Sequence, residues 1–229
     1  MLMRRQLQNI FSDCSSLILR ALFREPQRHW RIPELARLGV SFGMASIVLN
    51  RAESLGYVER VRTGPGSYSR LADREHLLED WTRHYSFERN WHAYYYYPRK
   101  DFLPRLREVL ERRNLRYALT LFSASRLISP YVKDDRHFVY LDITPQQAKA
   151  VFRELEADLG LMRLVRGGNI CLAIPFYHHS VFKTLRHAKG YPVVSNLQLY
   201  LDLMGFAPSG PEEAKHLLSH WKKQEELLA

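Results

Sequence analysis

The chain has 229 residues, 46% apolar and 25% charged, with a formal net charge of +10 at pH 7 and an isoelectric point near 9.7. This is the make-up of a soluble globular protein with room for one large or two small domains, and its excess of cations fits a polyanionic partner. Two distant cysteines, Cys14 and Cys171, exclude a disulfide scaffold and a four-ligand zinc site. No apolar run approaches the roughly 18 residues of a membrane span. The unpatterned cysteines make a reducing cytoplasm the expected location, and the start, MLMRRQLQNIF, has charge without the apolar core of a signal peptide.

In chain order, residues 5–24 carry a helical period through Ile10, Cys14, Leu17, Ile18, Ala21 and Leu22, ended by Glu25-Pro26. His29 to Ile32 is read as a short strand able to pair with a later hairpin. Pro33 to Leu38 is a short helix: Pro33 suits a first turn, and Gly39 can take the left-handed conformation that ends it. A second helix starts at Ser41, a capping residue, and stops at Gly56. Its core face is Ala45, Val48, Leu49, Ala52 and Leu55. Strands at Tyr57–Thr63 and Tyr68–Leu71 flank the turn Gly64-Pro65-Gly66-Ser67. The order of three helices and a hairpin is that of a winged helix-turn-helix, whose second motif helix is shaped to enter a major groove. The expected domains are this one over 1–75, a connector helix over 76–90 begun by the cap Asp73, and an α/β domain over 91–229. The fold class is therefore α+β.

The C-terminal part alternates strands and helices. Strands are expected at Trp91–Tyr97, Tyr117–Leu121 and Phe138–Ile143. Helices are expected at Phe102–Arg113, Ser123–Ser129, from Thr144-Pro145 to Asp158, at Ser195–Met204 and at Pro211–Leu228. Gly167-Gly168 between Leu161–Val165 and Asn169–Ile174 reads as a hairpin turn.

If the apolar face of the second helix is buried, its outer face carries Phe42, Met44, Ser46, Ile47, Asn50 and Arg51, with Ser41 at its start. Base edges are read by donors and acceptors, which Ser46, Asn50 and Arg51 supply; Met44 and Ile47 suit only a thymine methyl. Arg60, Arg62 and Arg70 on the hairpin are placed to hold phosphates or enter a minor groove. Residues 1–75 hold twelve arginines against seven carboxylates. Half of the net charge thus sits in a third of the chain.

Three further segments, RYALTLFSASRLISPYV (116–132), GGNICLAIPF (167–176) and YPVVSNLQLYLDLMGF (191–206), stand in an order that resembles the AbiEi-like antitoxins of type IV toxin–antitoxin systems. The resemblance takes in most of the chain and is most specific in the last segment. It implies an N-terminal winged helix on the operon's own promoter. It also implies a C-terminal domain that counters a nucleotidyltransferase-like toxin without necessarily forming a stable complex. The family pattern usually has Gly where this chain has Leu121, and often Pro where it has Asn196.

Other chemistries fare worse. A nucleotidyltransferase core needs a Gly-Ser turn and two close acids, whereas Asp142 stands alone after Leu121-Phe122-Ser123. Asp134-Asp135 reads as a solvated turn, His178-His179 lacks a ligand spacing, and Ser195 reads as a helix cap. Gln198, Tyr200 and Asp202 read as a local network in preference to a ligand site. No catalytic residue, metal or cofactor is expected. The expected partners are double-stranded DNA and a second copy of the chain, through Trp81 and Tyr85 or through Leu217, Leu218 and Trp221. A winged helix that docks protein instead of DNA, and a small-molecule sensor with a polar pocket beside Asp142 and Asp202, are the alternatives.

Overall fold

The computed structural model describes residues 9–165 and 167–223. The chain divides into two compact units, one up to Tyr85 and one from Ser86.

The first unit begins with α1 (Asp13–Arg24), which is buried from Ser15 to Phe23. Residues 9–12 precede it as a turn, Cys14 is exposed and so leaves the expected core face, and residues 5–8 of the expected helix lie outside the described residues. Next come α2 (Ile32–Ala36) and α3 (Phe42–Ser54). Ser41 caps α3: its hydroxyl accepts from the Met44 amide at 3.1 Å. Strands β1 (Val58–Val61) and β2 (Tyr68–Leu71) pair antiparallel, with Val58 opposite Leu71 and Val61 opposite Tyr68. A 3-10 turn at Gly64–Gly66 joins them. Trp30 and Ser69 exchange both backbone bonds at 2.8 Å, so the segment before α2 docks on the hairpin edge. The last helix, α4 (Arg74–His84), is capped by Asp73, which accepts from the His76 amide at 2.9 Å. It stops short of Glu88 and belongs to the first unit. Trp81, fully buried, packs on Phe11 and lies under the Arg20 guanidinium.

The second unit is a seven-stranded sheet in the order β6-β3-β7-β5-β4-β9-β8. Its strands are β3 (Trp91–Tyr96), β4 (Tyr117–Leu119), β5 (His137–Leu141), β6 (Met162–Leu164), β7 (Ile170–Ile174), β8 (Arg186–Ala188) and β9 (Tyr191–Val193). The β5–β7 and β4–β9 pairs are parallel and the others antiparallel. Central β4 and β7 are buried throughout and carry unbroken apolar runs, as strands covered on both faces do.

The covers follow from the pleat, since neighbouring residues on a strand face opposite ways. Tyr94, Cys171 and Phe138 are aligned across β3, β7 and β5. On that side Phe138 meets Phe122 of α6 (Leu121–Ile128) and Phe206, which follows α9 (Asn196–Met204). On the other side Trp91 and Tyr95 meet Phe152 of α7 (Pro145–Leu159), which packs with α5 (Phe102–Arg112). A short α8 (His178–Val181) and the final α10 (Gly210–Lys223) complete the unit, α10 packing on α9. The expected end of that last helix, at Leu228, lies outside the described residues.

The strand connections also depart from the sequence reading. Segments β6 and β7 do not form a hairpin: β3 lies between them and pairs with both. The glycines let the link pass the end of β3, since a Cβ on Gly168 (φ +96°) would sit 2.3 Å from the Tyr95 carbonyl oxygen. A hairpin exists instead at β8–β9, where Lys189 and Gly190 both have positive φ, as a tight two-residue turn requires. Leu121, at the position the family pattern gives to glycine, is fully buried with φ +45°. A β-carbon there costs of order 1 kcal/mol of backbone strain. Asn196 occupies the first position of α9, where proline would fit, and its side-chain oxygen accepts from Arg186.

Candidate nucleic-acid interface

The surface is organised by α3. Ala45, Val48, Leu49 and Ala52 are fully buried, which rotates the opposite face outward. Phe42 is 61% exposed and Ile47 44%. Asn50 and Arg51 are exposed, as is Ser41, and Ser46 is half-buried. Met44 is turned partly inward: the Ser15 hydroxyl donates to its sulfur at 3.7 Å. Leu55, expected in the core face, is half-buried at the C-cap.

The hairpin brings its arginines to this helix. Arg60 donates to the side-chain oxygen of Asn50, which fixes the amide's orientation, and burial lowers the Arg60 pKa. Arg62 grips Glu53 of α3 with two bonds, one at 2.8 Å. That bond holds the Glu53 carboxyl below the usual carboxylate range and raises the Arg62 pKa. Arg70 binds Glu59, its direct cross-strand neighbour, through Nε at 2.8 Å and Nη2 at 2.6 Å. Two of the three hairpin cations are therefore neutralised by acids in the free protein. Arg51 is exposed, and among the described residues no carboxylate pairs with it. The surface combines two arginines, Arg51 and Arg60, that no carboxylate pairs with among the described residues, an oriented amide, exchangeable ion pairs and an apolar edge. Exposed pairs of this kind contribute about 0–1 kcal/mol each, so a stronger anion can displace the carboxylate.

Glu53 and Glu59 entered the sequence reading only in a charge total, not as partners of these arginines. The Glu59–Arg70 pair depends on the hairpin register, which sets Val61 opposite Tyr68 and so the two side chains opposite each other. The Glu53–Arg62 pair depends on how the hairpin docks on α3, which no spacing rule supplies.

The second unit's polar residues have structural partners. Asp202, fully buried, accepts from the Thr120 hydroxyl, from the Tyr140 hydroxyl at 2.9 Å and from the Gln198 amide at 2.8 Å. Asn90 extends the network, donating to the Tyr140 oxygen at 2.9 Å and accepting from the Phe176 amide at 2.7 Å. Tyr200 is buried, which raises its pKa. Asp142 lies 3.4 Å from Arg116 and 3.7 Å from His178, and Asp134 is clamped by Arg136. Among the described residues no three His, Cys, Asp or Glu side chains come together as a metal site. No helix among them is long and apolar enough to cross a membrane. The side chains expected at a dimer face are turned inward: Trp81, Tyr85, Leu217 and Trp221 are buried within one chain and Leu218 is half-buried. Amphipathic helices present large apolar residues to their own core first, which is why sequence alone mistook them for an interface.

A family model described as a transcriptional regulator, AbiEi antitoxin of a type IV toxin–antitoxin system, matches residues 70–223. The match spans the second unit and starts at the last strand of the hairpin, leaving α1 to α3 outside it. No curated protein and no solved structure matches the chain.

Proposed function

Since the chain belongs to the AbiEi antitoxin family of transcriptional regulators in type IV toxin–antitoxin systems, we propose that its first unit is a winged helix-turn-helix that binds double-stranded DNA and represses its own operon. The observation that carries this reading is the joint surface of α3 and the hairpin, where Arg51, with no carboxylate partner among the described residues, follows the Asn50 that Arg60 holds. In this reading Ser46, Asn50 and Arg51 meet base edges. Phe42, Met44 and Ile47 supply apolar contacts, and Ser41, Arg60, Arg62 and Arg70 hold the backbone. Arg62 and Arg70 exchange their carboxylate partners for phosphates on binding. A cytoplasmic homodimer would place two copies on paired half-sites. The second unit would carry the antitoxin role against a nucleotidyltransferase-like toxin, as a regulator and not an enzyme.

Fluorescence anisotropy with duplex from upstream of the gene tests the reading. Binding should weaken steeply from about 50 to 200 mM salt, in proportion to the phosphates contacted. Absence of binding at low salt would remove the DNA assignment. Co-expression with the neighbouring gene tests the antitoxin role, with growth rescue as the expected result.

A second reading has a specific observation behind it. Phe42, at the start of α3, and Ile47 expose apolar surface on the reading face, as a protein-docking face does. Passage through heparin without retention would favour that reading.

A further inference from the structure

One end of the second unit's sheet holds a cavity of about 520 Å³ that the regulator reading leaves unused. It lies where β3 ends and β5 and β7 begin, and its volume is that of a small-molecule pocket. Its lining includes apolar Phe102, Leu103 and Ile170 together with Lys100, Arg126 and His137, the His137 ring lying 5.0 Å from that of Phe102. Arg126 is the unusual group. It is half-buried, donating to the Asp134 carbonyl oxygen and, at 3.1 Å, to Nδ1 of His137. Among the described residues no carboxylate forms an ion pair with it. A guanidinium withdrawn from water is ordinarily matched by an anion.

Arg126 can only donate, so Nδ1 of His137 is the acceptor and the ring's proton sits on Nε2. Burial and the adjacent Arg126 push the His137 pKa down to about 4, which keeps the ring neutral; Asp135 and Asp134 act on Arg126 through space, but Asp134 is already held by Arg136. Asp135 also lines the cavity and opposes an anion. Arg99, at the rim, is offset by Asp101 at 3.3 Å. With Lys100 and Arg126 against Asp135, the lining retains a net positive charge.

We propose that this cavity binds a small organic anion, its carboxylate or phosphate held by Arg126 and Lys100 and its apolar body laid against Phe102, Leu103 and Ile170. The proposal stands on the second unit alone and is independent of whether the first unit binds DNA.

Isothermal titration calorimetry of the full chain, with benzoate, adenosine 5′-monophosphate and inorganic phosphate as probes, tests it. Benzamide and adenosine are the neutral controls. At least one organic anion is expected to bind one to one, about tenfold tighter than its neutral counterpart and than inorganic phosphate, the effect of one good charge-assisted contact. Lys100→Glu, at an exposed position, should weaken that binding about tenfold or more. Arg126→Gln should do the same, and Lys149→Glu, exposed on α7, should leave it unchanged. The proposal is overturned if no organic anion saturates the protein. It is equally overturned if neutral or inorganic probes bind as well, or if Lys100→Glu retains full affinity with an unchanged melting temperature.

Discussion

Replacing Asp202 by Ala removes the acceptor at the centre of the second unit's polar network. Its carboxyl takes hydrogen bonds from Thr120 on the link to α6, from Tyr140 in β5 and from Gln198 in α9. All four residues are fully buried, so water cannot replace the lost partner. A buried donor left unsatisfied costs about 1–3 kcal/mol. Three of them, partly relaxed, amount to about 3–6 kcal/mol, a large share of the roughly 5–15 kcal/mol that holds a domain folded. Asp202→Asn keeps the shape but turns one acceptor oxygen into a donor, so about half of that loss is expected. Urea denaturation of the full chain followed by far-UV circular dichroism measures both values. Combining Asp202→Ala with Tyr140→Phe should give clear non-additivity, because each removes the same bond. A loss below about 1 kcal/mol for Asp202→Ala would refute the account of this network.

The other expectations are more local. Gly168→Ala should cost about 3 kcal/mol or more in the same denaturation assay, since its Cβ would collide with the Tyr95 carbonyl at a positive φ; a neutral outcome would mean that the link does not pass β3 closely. Folded His137 titrates at about 4 against roughly 6.5 unfolded. Between those values the unfolded chain takes up a proton that the folded chain refuses, so stability falls by up to about 3 kcal/mol as pH drops through this window. His137→Gln should flatten that dependence between pH 7 and 4.5, and identical profiles for the two proteins would contradict it. Arg62→Ala should lower the slope of log affinity against log salt by about 1, the contribution of one phosphate contact. Glu53→Gln should tighten DNA binding, because Arg62 no longer has a carboxylate to leave.

Local signals in the sequence identified most elements of both units, for reasons visible in particular residues. The hydroxyl of Ser41 and the carboxylate of Asp73 cap α3 and α4, and the apolar spacing of Ala45, Val48, Leu49 and Ala52 defines one buried face. Relations between distant segments were less legible. Gly167-Gly168 carries the same local signal whether it turns a hairpin or threads past a third strand, and only the pairing of β3 with both neighbours distinguishes them. The short β8 and β9 are three residues each and leave almost no period to detect. At the candidate interface the outward residues of α3 were readable from its buried face. The carboxylates that hold Arg62 and Arg70 were not, because a net-charge tally does not say where the negative charges dock. The cavity around Arg126 gathers residues from four separate segments, and no motif joins them.

DNase I footprinting over the DNA upstream of the gene, with the full chain and an Arg51→Ala, Arg60→Ala, Arg62→Ala triple variant, tests the central claim most directly. A discrete protected site is predicted for the wild type, persisting over excess unrelated DNA. The folded triple variant should lose it. No protected site, or equal protection by the triple variant, would contradict the assignment of α3 and its hairpin as the DNA-binding surface.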